Sequence, residues 1–213
     1  MLKLSTRPKA FLFDLGGVLV DIDFANAFRE WAQYSPLSTE QLASRFAFDE
    51  SYKRHERGEL PGEDCFAHLK RVLELDGASE SDIERGWNSI FVGEIAETRR
   101  LVERARRYAS CFVFSNTNAS HMATWRDLYP SVVGAFDRIF TSHELGMRKP
   151  EQAAFAKIVE LTQIPANEIV FFDDLAENVD SAIQAGLHGV VVRSPADVRR
   201  AFEMMGLREG DEV

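Results

Sequence analysis

Apolar residues fall along this chain in two alternating patterns. Short runs that are apolar at nearly every position, AFLFD at 10–14, CFVFSN at 111–116, EIVFFDD at 168–174 and GVVVR at 189–193, each end on polar or charged residues. Such runs predict strands covered on both faces, as in a parallel sheet. RIFTS at 138–142, after the turn-rich LYPSVVG, predicts a weaker fifth strand. Between these runs, helical periodicity appears at Thr98 to Tyr108, Glu151 to Leu161 and Glu177 to Ala185, the last closed by Gly186 as a C-cap. The alternation predicts an α/β fold, a Rossmann-like doubly wound parallel sheet.

One interval breaks the rhythm. Asp14 and Ser115 are 101 positions apart, far more than a βαβ crossover needs. The interval reads as successive helices, Phe24 to Tyr34, Thr39 to Phe48, Glu50 to Arg57, Gly62 to Leu75 and Ser79 to Phe91, broken near Pro36, Pro61 and Gly77. We expect a helical cap domain at 21–94 inserted into a core domain formed by 1–20 and 95–213.

Composition narrows the class. The 213 residues are 45% hydrophobic and 28% charged, which fits a globular chain with a full core. Thirty-four acidic against 25 basic residues give a net charge of −9, which argues against nucleic acid as a partner. The arginines of 99–107 read as a solvated helix face, and Trp31, Trp87 and Trp125 as packing residues. His55, His68, His121, His143 and His188 lack zinc-ligand spacing. Cys65 and Cys111 lie far apart, as expected of inert thiols in a reducing compartment. The first twenty residues carry charges where a signal peptide needs an apolar core, and no apolar run reaches membrane-spanning length, so the expectation is cytoplasmic, without membrane or obligate protein partner.

The chemistry gathers at strand ends. Ligands of open α/β sheets bind beyond the carboxyl ends of the strands, and Asp14, Ser115, Asn116, Asp173 and Asp174 all stand there. Three carboxylates together repel one another unless a cation lies among them; Mg²⁺, held by carboxylates, substrate phosphate and water, is the economical one. Gly16 and Gly17 let the backbone approach a ligand, and the Gly16 carbonyl can serve as a metal ligand. Lys149, just before a predicted helix, is favourable there if an anion shares the corner.

FLFDLGGVLV, VFSNTN, GMRKPE and VFFDDLAENVDSA, in that order, resemble the four motifs of the haloacid dehalogenase-like hydrolase superfamily, and the insertion resembles that of its alpha-helical cap subclass. DLGGVLVDIDF and HERGEL are closest to the bacterial α-D-glucose-1-phosphate phosphatase group. The resemblance implies strand order 3-2-1-4-5 and Mg²⁺-dependent hydrolysis of a small phosphorylated metabolite such as a sugar phosphate. It implies Asp14 as nucleophile and metal ligand, Ser115 and Asn116 as phosphate binders, and Lys149 as the neutralising cation. Asp174 would be a direct metal ligand, and Asp173 one acting through water or by orienting the site. Most phosphatases of the superfamily carry an Asp two residues after the nucleophile; Gly16 stands there instead, and so gives no acid or base. The alternatives are a 2-haloacid dehalogenase, which shares the attacking aspartate and lacks that second acid, and a non-catalytic phosphate-binding module. The stretch from Lys53 to Glu59, with Asp21 and Asp23, is the candidate sugar contact of the cap.

Overall fold

A computed structural model describes residues 7–207. Its strands are β1 (Ala10–Phe13), β2 (Val20–Ile22), β3 (Phe91–Glu94), β4 (Ser110–Ser115), β5 (Arg138–Thr141), β6 (Ile169–Asp173) and β7 (His188–Val191). Five of them form one parallel sheet in the order β5-β4-β1-β6-β7. Numbered among themselves these five stand 3-2-1-4-5, so the first strand is central and the ends of β4 and β6 flank it.

Side chains alternate across this sheet, and each face has its own cover. Phe11, Phe13, Val113, Val170 and Phe172 pack with Leu101 and Val102 of α6 (Ala96–Ala105), and with Val198 and Phe202 of a helix near the end of the described chain. Leu12, Phe114 and Phe171 turn the other way, toward Phe155, Ile158 and Ala182. Burial on both sides is why these strands lack polar alternation.

Between β2 and β3 come α1 (Phe24–Trp31), α2 (Thr39–Arg45), α3 (Glu50–Glu56), α4 (Gly62–Val72) and α5 (Glu80–Asn88), matching the five expected helices with shorter ends. Their side chains gather a separate cluster around Phe28, Trp31, Leu42, Phe66, Leu69, Ile83 and Trp87. Ser38 and Ser79 cap α2 and α5 in reciprocal capping boxes.

The remaining helices are α7 (Ala119–Leu128), α8 (Pro130–Gly134), α9 (Ser142–Leu145), α10 (Gln152–Thr162), α11 (Ala176–Gln184) and α12 (Pro195–Met204). Gly186 ends α11 at φ +93°, with Leu187 N–H donating to the Ala182 carbonyl (3.0 Å) and Gly186 N–H to that of Ile183 (2.9 Å), a Schellman motif.

Three features depart from the sequence expectation. Val20–Ile22 and Phe91–Glu94 pair as an antiparallel ribbon, where the sequence suggested the domain junction and the end of a helix. The segment read as turn-rich before β5 folds into α8, with Pro130 in its first turn, where a missing N–H is harmless. Helix α12, also started by a proline, was not expected.

Cys65 and Cys111 are both buried free thiols, and burial pushes each up to about 12, which makes them inert. Arg99 pairs with Glu94 and Glu103, and Arg106 with Asp137, so the basic stripe is partly neutralised. Among the described residues no helix is long and apolar enough to cross a membrane.

His121 joins α7 to the inserted helices. Its ring stacks on Trp87 (4.6 Å between centroids, 12° between planes), Nε2 donates to the Trp87 carbonyl (2.9 Å) and Nδ1 accepts from Asn118 Nδ2 (3.1 Å). Burial pushes its pKa down to about 3, from 6.5 when exposed. The unfolded chain therefore takes up a proton that the folded chain refuses, and stability is lost as pH falls from about 6.5 toward 3. We expect a loss of about 2 to 3 kcal/mol between pH 7 and pH 4.5 from this group. Urea titrations of wild type and His121→Gln at both pH values measure it as the difference in slope; parallel profiles would refute it.

Candidate active site

The sheet brings the carboxyl ends of β4, β1 and β6 side by side, and with them Ser115, Asp14 and Asp173. Lys149, in the loop between α9 and α10, is 1% exposed and reaches in from the side. Its Nζ lies 2.6 Å from Asp14 Oδ1 and 2.8 Å from Asp173 Oδ2. The ammonium also sits over Phe114 (5.4 Å) and Phe171 (5.5 Å), within cation–π range of both rings. Burial alone would lower its pKa; Asp14 and Asp173 more than offset that and hold it above its ordinary value, so the lysine is charged.

The three carboxylates differ in what occupies them. Asp173 is fully buried and saturated: Oδ1 accepts from Leu175 N–H (2.8 Å) and Asn178 Nδ2 (3.0 Å), and Oδ2 from Lys149 and Asn178 (3.1 Å). That is the environment of an orienting group. Asp14 Oδ1 accepts from Lys149 and from Leu15 N–H (2.7 Å). Burial pushes the Asp14 pKa up to about 7, Lys149 opposing and Asp173 and Asp174 adding to it; burial and Asp173 raise Asp174 as well. Ligand atoms of Asp14, Asp173 and Asp174 lie within 4.8 Å of one another. Three carboxylates against one ammonium leave a formal charge of −2, and a divalent, oxygen-seeking cation would relieve it. The donor set fits Mg²⁺.

The two glycines after Asp14 differ in necessity. Gly17 has φ +71°, and a Cβ on it would lie 2.6 Å from Asp174 Oδ2. A Cβ on Gly16 would meet only the Ile22 side chain, at 3.0 Å from Cδ1. Gly17→Ala is therefore expected to displace Asp174 and weaken Mg²⁺ binding about 10- to 100-fold, with a folding penalty of about 1–3 kcal/mol. Calorimetric Mg²⁺ titration checks this, and an unchanged affinity would contradict it.

Asn116 lines the same pocket as Ser115 and ties it to the lysine loop. Its side chain binds the lysine loop, Nδ2 donating to the Lys149 carbonyl (2.9 Å) and Oδ1 accepting from Lys149 N–H (2.8 Å). Ser115 is buried at the end of β4, its hydroxyl 3.4 Å from the Asn116 carbonyl, and lines a pocket with Gly16.

One side of that pocket is apolar, walled by Ile22, Phe24, Tyr52, Ile90 and Phe91, and the other carries Ser115, Asn116, Thr117 and His121. Several of the residues expected to touch a sugar are engaged elsewhere or face outward. Asp23 caps α1 through Ala25 N–H (2.9 Å), Asp21 is exposed on β2, Arg54 pairs with Glu59 (3.6 Å), and Glu56 and Arg57 bind the lysine loop. Asn178 was missed by sequence reasoning; its signal is an amide in the first turn of the helix that follows the acidic pair.

The family model for haloacid dehalogenase-like hydrolases matches residues 8–186. This chain belongs to that family. Hexitol phosphatase A of Escherichia coli is 25% identical over 93% of the chain and 89% of the relative. Sesquiterpene phosphatase astK of Aspergillus oryzae is also 25% identical, over 88% and 91% respectively. Among solved structures, the wild-type family enzyme bt-2542 of Bacteroides thetaiotaomicron, in complex with magnesium and inorganic phosphate, superposes with a TM-score of 0.75 at 24% identity. It covers 86% of this chain and 93% of its own. Within the haloacid dehalogenase-like hydrolases, the chain stands with the phosphatases.

Proposed function

We propose that this hydrolase is a Mg²⁺-dependent phosphomonoesterase of small phosphorylated metabolites, sugar phosphates such as glucose 1-phosphate among them, working through an aspartyl-phosphate on Asp14. The observation that carries this reading is the convergence of Asp14 and Asp174 at adjacent strand ends with Lys149 reaching in from the side, net negative charge being left to neutralise. The hexitol phosphatase and the magnesium- and phosphate-bound relative support it.

Phosphoryl transfer needs an in-line nucleophile and neutralised equatorial oxygens. With Asp14 Oδ1 held by Lys149 and Leu15 N–H, Oδ2 is left to attack phosphorus as the bond to the leaving oxygen breaks; water then cleaves the acyl phosphate. Lys149, the Ser115 hydroxyl and the Asn116 backbone N–H balance the charge on the transferring group. Asp14, Asp174 and the Gly16 carbonyl would hold Mg²⁺, with Asp173 orienting Lys149. The ion's contribution is Lewis-acid stabilisation of the phosphoryl oxygens. Gly16 supplies no acid, so the proton of the leaving oxygen comes from another group or from water, and less basic leaving groups such as an anomeric oxygen are favoured.

A second reading of the leaving group is favoured by the pocket walls. Ile22, Phe24, Tyr52, Ile90 and Phe91 suit a hydrocarbon as well as the C–H face of a sugar, and a sesquiterpene phosphatase is among the relatives. Phosphate release from glucose 1-phosphate, a hexitol phosphate, farnesyl phosphate and p-nitrophenyl phosphate, with Mg²⁺ and with EDTA, tests both. Turnover with Mg²⁺ that EDTA removes is expected. No turnover, or halide release from 2-haloacids indifferent to EDTA, would replace the phosphatase reading with the dehalogenase one or with a silent binding module.

A further inference from the structure

The site as described leaves the charged residues of HERGEL unexplained. Glu56, the last residue of α3, is 4% exposed, and its Oε2 accepts from Arg148 Nε at 2.7 Å. The next residue, Arg57, donates through Nη1 to Glu151 Oε1 at 3.2 Å. Arg148 and Glu151 bracket Lys149 and Pro150. Gly58, at φ +71°, comes so close to the segment before this loop that a Cβ on it would lie 2.5 Å from the His143 carbonyl oxygen. Glu56 and Arg57 thus close on the loop that carries the lysine, and Gly58 on α9 just before it.

The charges are arranged for one register. Glu56 and Arg57 meet Arg148 and Glu151 with opposite signs, and sliding either partner sets like charges together. From the other side, Asn116 holds both main-chain groups of Lys149. The lysine's backbone is therefore fixed by the sheet through Asn116 and by the inserted helices through the residues beside it. Tyr52, one turn before Glu56, lines the pocket, and the Glu56 carboxylate faces its hydroxyl.

We propose that Glu56 is a positioning residue for the reaction: through Arg148 it fixes the main chain that carries Lys149, so the ammonium is held against Asp14 only while α3 is seated on the lysine loop. The inference rests on the catalytic role given to Lys149 above. A buried pair of this kind is sensitive to loss of one member, because the other is left charged without a partner. Small displacements of a catalytic group are felt in kcat.

The test is the kinetics of Glu56→Ala, Arg148→Ala, the double variant and Glu56→Gln on p-nitrophenyl phosphate at saturating Mg²⁺, with folding checked by thermal melting. Either alanine variant is expected to lower kcat about tenfold or more, with KM moving less than about threefold. The double variant is expected to be no worse than the poorer single one. Glu56→Gln, which keeps an acceptor for Arg148, should recover part of the loss. A folded Glu56→Ala enzyme with kcat within about twofold of wild type, additive losses, or a change confined to KM would overturn the proposal. If Glu56→Ala does not fold, Arg148→Ala carries the decision at the same twofold threshold. An inactive wild type would overturn both this inference and the phosphatase reading; an active one indifferent to Glu56 overturns this inference alone.

Discussion

Asp14→Asn is expected to abolish turnover, by at least about four orders of magnitude in kcat, while leaving the fold intact. The amide still offers Oδ1 to Leu15 N–H and Lys149, so the strand end keeps its hydrogen bonds. What disappears is the nucleophile, for which neither Asp173 nor Asp174 can substitute: the first is saturated by Lys149, Leu175 and Asn178, and the second packs against Gly17. Stability should stay within about 1 kcal/mol of wild type, because loss of one ion pair is offset by removing a carboxylate whose ionisation burial opposes. Phosphate release at saturating Mg²⁺ together with urea denaturation measures both effects. Residual turnover above about 1% would move the nucleophile elsewhere.

Lys149→Met is expected to fail in both respects. Methionine keeps the length of the side chain and its contact with Phe114 and Phe171 but abandons two buried carboxylates. Removing one member of a buried ion pair costs about 3–5 kcal/mol, and here two acidic partners lose the same cation. Activity should fall by at least about 10³-fold, the scale set by loss of a preorganised charge at a developing anion. Mg²⁺ should recover part of the stability by occupying the same field, and none of the neutralisation Lys149 gives at its own position. A variant as stable as wild type at neutral pH without metal would show that Asp14 and Asp173 do not depend on the lysine.

How much of this could be read from the chain depended on how local the signal was. β1, β4 and β6 are legible because both faces are buried, so four or five successive apolar residues end abruptly on Asp14, Ser115 and Asp173. The ribbon of β2 and β3 is illegible for the opposite reason: three- and four-residue strands with exposed Asp21 and Val92 show neither a full apolar run nor clear alternation. The acidic pair and the lysine were legible as chemistry, and the family resemblance implied the division of labour between Asp174 and Asp173, but the residue that enforces it was not legible. That Asp173 is saturated follows from Asn178, whose contacts only the folded chain reveals. The charged stretch from Lys53 to Glu59 looked like a sugar contact because its partners, Arg148 and Glu151, lie more than ninety positions away. The bond from the asparagine beside Ser115 to the Lys149 main chain was hidden in the same way, its partner standing 33 positions away.

The central claim is that phosphate passes through Asp14, and chemical trapping of that acyl phosphate tests it most directly. Wild-type enzyme mixed with p-nitrophenyl phosphate and Mg²⁺, quenched during turnover and reduced with borohydride, should carry homoserine at position 14. Without substrate, or with Mg²⁺ chelated, the aspartate should remain. Steady phosphate release with no reduction product at position 14, in an enzyme whose Asp14→Asn variant still turns over, would contradict the account.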